Sequence, residues 1–251
     1  MTDVAFVAAG AGAASATSPV SIAVPYPASL ADDDLLIAQI YSRNNISTIG
    51  SPPSGWALLF GPDTETGRQW LYWKLSDGTE TGSATWSISG AALFMGRMYA
   101  FRGTAVSSFT ESGGVNTGTD DSVECPSVTT SENGSMAVAF TAIDDDHSQT
   151  NFTGETGGNY TEAVAEYTSS LGLDGSIGLQ TATMATAGTV SGGSFTIAAA
   201  DAWVCRSFSL KVLAAPTVPD APTLDSAAAG DGEVDLSWTA PADDGGAAIT
   251  A

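Results

Sequence analysis

Across residues 3–211, short runs of Val, Ile, Phe, Tyr, Trp and Thr recur between clusters of Gly, Pro, Ser, Asn and Asp. That punctuation predicts an antiparallel β-sandwich or barrel. The runs fall at 4–8, 20–24, 35–41, 56–60, 69–75, 84–88, 94–101, 122–128, 136–143, 163–167, 176–183, 194–198 and 203–212. Several alternate cleanly. In SFSLKVL, Phe208, Leu210 and Val212 share one face, while Ser207, Ser209 and Lys211 share the other. In RQWLYWKL both faces are apolar, which places that strand centrally or under a neighbour. Only 161–170, where EAVAEY supplies helix formers, offers room for a helix.

With 43% hydrophobic residues and six Trp in 251 positions, the chain can fill a core without disulfide staples. Its two cysteines, Cys125 and Cys205, lie on separate predicted strands and fit either two buried thiols or one bridge. Assembly in a cytoplasm would favour the thiols. A net charge of −21, from 28 acidic and 7 basic residues, argues against a nucleic-acid partner, because no Lys/Arg patch can release counterions. It reads as a coat that keeps the chain soluble. The N-terminus has no basic region or unbroken apolar stretch of the secretory kind, and no apolar run approaches the roughly 18 residues of a membrane span, so no membrane insertion is expected.

The segment AAPTVPDAP, residues 214–222, carries three prolines after the last strong strand and reads as an extended linker. Beyond it, PDAPTLDSAAAGDGEVDLSWTAPADDGGAAITA resembles the opening of a fibronectin type III domain. The features are a Pro-x-x-Pro entry, a first strand, a second strand with Trp238 at its core position and a Pro-Ala-Asp-Asp-Gly-Gly turn. The resemblance covers two of about seven strands and implies that the natural protein continues. The larger part, through DDDLLIAQIYS, PPSGWALL, WLYWKLSDGTETGSATWSIS, AFRG and WVCRSFSLKV, resembles the lectin-like jelly-roll modules of bacteriophage and prophage virions. The expected fold is therefore all-β: a jelly-roll-like antiparallel β-sandwich over 1–213, a linker over 214–222, and an incomplete fibronectin type III domain over 223–251.

What these resemblances imply is a non-enzymatic structural component of a tailed-phage virion, in a tail fibre, spike or capsid decoration. Its partners would be other virion proteins, a host-surface glycan and further copies of itself, with a trimer favoured. A secreted bacterial adhesin or carbohydrate-binding module is the alternative.

Candidate sites are sparse. Asp144, Asp145 and Asp146 could supply oxygen ligands to calcium, although their spacing matches no EF-hand, and adjacent acids are commonly just a solvated loop. No other cofactor is indicated. The loop they open, 144–160, is long, polar and Gly-rich, the first place to look for partner contacts. Asp32, Asp33 and Asp34, like Asp120 and Asp121, read as charges guarding strand ends. Trp56, Trp70, Tyr72, Trp73, Trp86 and Trp203 could pack in a core or present rings to a sugar. Glu155, Glu162 and Glu166 lie near the long loop without a defined carboxylate pairing, and the single histidine, His147, has no nucleophile-elbow serine to serve.

Overall fold

The computed structural model describes residues 3–16, 20–43, 46–90, 93–105, 108–149, 161–169, 174–213 and 219–242. The chain separates into two compact units, one ending at Leu213 and the other comprising Ala214–Ala251. All regular structure among the described residues is β, and its sheets are antiparallel and packed as sandwiches.

The first half of the larger unit runs β1 (Ala5–Ala9), β2 (Ala13–Ser15), β3 (Val20–Pro25), β4 (Asp32–Ser42), β5 (Thr48–Ile49), β6 (Ala57–Thr64), β7 (Arg68–Asp77), β8 (Ser83–Ser89) and β9 (Phe94–Arg102). A large sheet takes the order β1-β9-β4-β7-β6, with β2 also on β9, and a small one the order β3-β8-β5. The pairs β1·β9, β3·β8 and β4·β7 are nested like the arms of one long hairpin folded over on itself.

The second half repeats this plan. It runs β10 (Thr110–Gly118), β11 (Ser122–Glu124), β12 (Val128–Thr130), β13 (Ser135–Ile143), β14 (Thr161–Ser169), β15 (Gly175–Met184), β16 (Gly188–Val190), β17 (Ser194–Thr196) and β18 (Trp203–Leu210). Its large sheet is ordered β10-β18-β13-β15-β14, and β11·β17 and β12·β16 form the outer layer. The sandwich expected over 1–213 is thus built twice.

Register makes the correspondence residue by residue. Leu35 lies opposite Phe101 as Met136 lies opposite Leu210, and Ile22 opposite Trp86 as Val123 opposite Phe195. Residues 20–42 therefore fall on 121–143, and residues 83–103 on 192–212, without a gap. Pro25 matches Pro126, Ile88 matches Ile197 and Arg97 matches Arg206. Asp33 and Gly134 occupy the same turn, and both have a left-handed backbone, at φ 62° and 84°. Strands β1 and β10 each carry a bulge near the same place.

Four layers result, and strand alternation sorts the side chains between them. On β4, Leu36, Ala38 and Ile40 join Trp56, Trp70, Tyr72 and Trp86 beneath the small first sheet. Leu35 and Ile37 point the other way, where they meet Val138, Phe140, Leu179 and Phe208 of the second half. Val123, Val128, Ala137, Ala139, Phe195 and Cys205 fill the space under the last layer. Each fully buried Leu, Ile or Phe here contributes about 1.5–3 kcal/mol. Strand β7 does lie between two partners, as its two apolar faces predict.

The strand expected at 163–167 forms as β14 on the edge of a sheet, where pairing with β15 outweighs the helix propensity of EAVAEY. Several other expectations are corrected. The run 122–128 divides into β11 and β12 at Pro126, which has no N–H to give a ladder. Cys125 and Cys205 are joined in a disulfide rather than left as thiols. Asp34 guards no strand end. It is buried, and Arg102 grips it with Nε on Oδ1 and Nη2 on Oδ2, each at 2.7 Å.

The smaller unit is a hairpin of β19 (Thr223–Ala229) and β20 (Val234–Thr239). Leu224 stands across from Trp238, Ala227 from Leu236 and Ala229 from Val234, so these side chains share one face. Two strands cannot cover it. Trp238, expected in a core, is 56% exposed, and Leu224, Val234 and Leu236 stand open beside it.

Candidate metal centre

Strands β13, β15 and β18 are neighbours whose ends coincide, with Ile143 opposite both Ser176 and Trp203. The residues just beyond those ends must therefore meet. They are Asp144, Asp145, Asp146 and His147 after β13, Asp174 before β15, and Asp201 before β18. A run of acids that reads in sequence as one loop is completed in space by two more from distant parts of the chain.

The structure divides the three candidate calcium ligands. Asp144 turns inward. Its N–H donates to the Ala202 carbonyl, and its carboxylate accepts the hydroxyls of Tyr41 and Thr66, both from the first half. Asp145 and Asp146 stay at the surface. Asp145 Oδ2 lies 3.7 Å from His147 Nε2, and Asp145, His147 and Asp201 bring one donor atom each within 4.8 Å of one another. Asp145, Asp146 and Asp174 form a second such group, but there Arg43 already neutralises Asp174 with an ion pair of 2.6 Å.

Two of these carboxylates are braced. Asp145 Oδ1 accepts the Asp146 N–H at 2.8 Å, and Asp201 Oδ1 accepts the Ala202 N–H at 2.7 Å, which leaves the second oxygen of each for another partner. Among the described residues nothing hydrogen-bonds His147 Nε2, although that atom is shut off from solvent. Burial raises the pKa of Asp145, but the Asp146 N–H, His147 and Arg43 hold it below the ordinary carboxylate range.

Asp144 goes the opposite way. Burial, and then the charge of Asp201, push it up to about 7. A carboxyl that binds its proton more tightly when folded stabilises the fold below its unfolded pKa near 4. That contribution fades as pH rises towards 7. Asp144→Asn keeps the shape and discards the charge. In chelator-treated protein the variant should melt above the parent at pH 8 and level with it at pH 4. An equal difference at both pH values would mean that Asp144 is not protonated on folding.

Behind this corner a polar seam crosses between the two large sheets. Gln39 donates to Gln69 Oε1 at 2.6 Å and to the Thr141 carbonyl at 2.8 Å, and accepts the Tyr99 hydroxyl at 2.9 Å. Gln149 takes the Thr141 hydroxyl and gives to Ser176. At the seam's edge Asp63 of β6 binds Arg206 of β18 through both oxygens, and the guanidinium lies 4.9 Å from the centre of the Phe60 ring.

The aromatic candidates for a sugar platform are spent on packing. Trp56, Trp70, Tyr72, Trp86 and Trp203 are buried, and Trp73 packs edge-on against Phe109. Asp120 accepts the Trp203 indole N–H at 3.0 Å. Glu155 lies outside the described residues, as do the side chains of Glu162 and Glu166 and the long loop beyond Gln149.

No protein-family model matches the sequence, and no curated protein or solved structure matches the chain. The reading of function therefore rests on the geometry and on the sequence.

Proposed function

We propose that the chain is a non-enzymatic structural component of a tailed-phage virion, serving assembly or host-surface attachment from a tail fibre, a spike or a capsid decoration. The observation that carries this reading is the β19–β20 hairpin. Its face of Leu224, Leu236, Val234 and Trp238 is open to solvent in this unit. Contiguous apolar surface of that kind marks a place where another protein surface packs. The fibronectin-like sequence around it supports a module of an extended, multi-part assembly. The double sandwich, with its aromatics committed to its cores, suits a rigid support that offers its loops for contact. Several copies on one particle would add weak contacts into avidity.

The Cys125–Cys205 bridge favours a protein exposed to oxidising surroundings, which virion surfaces share with secreted adhesins. Peptide mass spectrometry of particles purified from a phage or induced prophage encoding the chain separates the two. Peptides in stoichiometric amounts with the virion are expected. Their recovery only from the particle-free culture medium would replace this reading with the adhesin.

A further inference from the structure

We propose that Asp145, His147 and Asp201 form a binding site for a divalent first-row transition metal of the zinc class. The site stands independently of the virion reading.

Three observations support it. The donor set is one imidazole nitrogen and two carboxylates, which suits zinc and its neighbours. Calcium takes six to eight oxygens and has little use for a nitrogen. One ligand pair is near the spacing of a filled site: ligands about 2 Å from a tetrahedral metal sit a little over 3 Å from each other, and His147 Nε2 and Asp145 Oδ2 are 3.7 Å apart, with Asp201 within 4.8 Å. Finally, the imidazole is oriented for it. The His147 side chain is only 12% exposed, and its Nε2 is enclosed 3.7 Å from the Asp145 carboxylate yet takes no hydrogen bond among the described residues. A buried nitrogen without a partner is costly, and a metal ion removes that cost.

The backbone N–H groups that brace Asp145 and Asp201 fix one oxygen of each and aim the other, as outer hydrogen bonds do in metal sites generally. Three protein ligands leave a fourth position for water or for a group on a partner. Asp174 stays with Arg43 and takes no part.

The test uses the whole chain after chelator treatment and dialysis. Titrated with zinc chloride in a calorimeter, it should bind one ion per chain. Cobalt chloride at the same site should give the visible absorption of a four- or five-coordinate ion. His147→Ala and Asp201→Asn should each weaken zinc by at least about a hundredfold, more than loss of an outer-sphere partner does, whereas Asp174→Asn should leave it within about threefold. Circular dichroism and urea midpoints of the metal-free variants establish that they fold, and His147→Gln gives the same readout should the alanine variant not. Zinc binding that survives loss of His147, calcium binding that displaces zinc, or no heat with zinc would each overturn the assignment.

Discussion

Opening the Cys125–Cys205 bridge, by reduction or by Cys205→Ser, should destabilise the larger unit by about 4 kcal/mol, read as a fall in the urea midpoint. The bridge joins residues 80 positions apart, and a cross-link over a loop of that length removes about that much chain entropy from the unfolded state. Both cysteines are buried, so the thiols left by reduction gain no solvent in the folded protein. The first half shows what happens here without sulfur. Val24 and Gly96 stand where Cys125 and Cys205 stand, and a Cβ on Gly96 would come within 3.0 Å of Val24 Cγ2 and 2.8 Å of Ile40 Cδ1. The strands approach closely at this point in either half, once through a missing side chain and once through a covalent bond. An unchanged midpoint after reduction would mean that the unfolded chain is already restrained without the bridge.

Arg206→Met should cost a similar amount, about 3–5 kcal/mol, because it leaves the buried carboxylate of Asp63 without its counter-charge. Methionine keeps most of the aliphatic stem that covers Phe60, so the loss reports the ion pair rather than the packing. Asp63→Asn combined with Arg206→Met removes both charges and should recover much of the deficit. If the single and double variants lost the same amount, the loss would come from the packing of the Arg206 stem and not from the unpaired charge of Asp63. The measurement is a double-mutant cycle by urea unfolding.

How far the sequence reveals this molecule depends on how local each signal is. The strands with strong alternation, such as 69–75 and 203–212, are readable because their periodicity comes from one chain segment facing two environments. Strand β10 is not. Its TESGGVNTG is poor in strand formers, and it is held by its ladder with β18 and by a bulge that needs Gly113 at φ 148°. The duplication is equally hidden. Some matched positions keep an aromatic ring, as with Trp86 and Phe195 or Tyr99 and Phe208, but others differ outright, as with Gln39 and Phe140 or Tyr41 and Ala142, and only register aligns them. Sequence alone also misplaces Asp34, since nothing near it announces Arg102, which comes from a strand 68 positions later.

The acidic corner follows the same rule. Asp145 is visible as part of a charged run, but Asp201 is a lone acid two residues before Trp203, and Asp174 a lone acid before Gly175. Only the sheet order β18-β13-β15 brings them to one end. His147 is the sole sequence signal that could have pointed towards a nitrogen-containing site, and its neighbours in sequence supply just one of the two carboxylates.

The repeated halves also have a thermodynamic consequence. Two identical sandwiches meeting through their large sheets would have to find each other, and a contact crossed by Gln39, Gln69, Tyr99 and Thr141 would give up much of its affinity to desolvating those groups. Held in one chain, each half meets the other at an effective concentration set by a short connection rather than by expression level. The polar crossing can then specify alignment without risk of dissociation. The two ends of the molecule are free to differ, since no symmetry requires a change in one half to appear in the other.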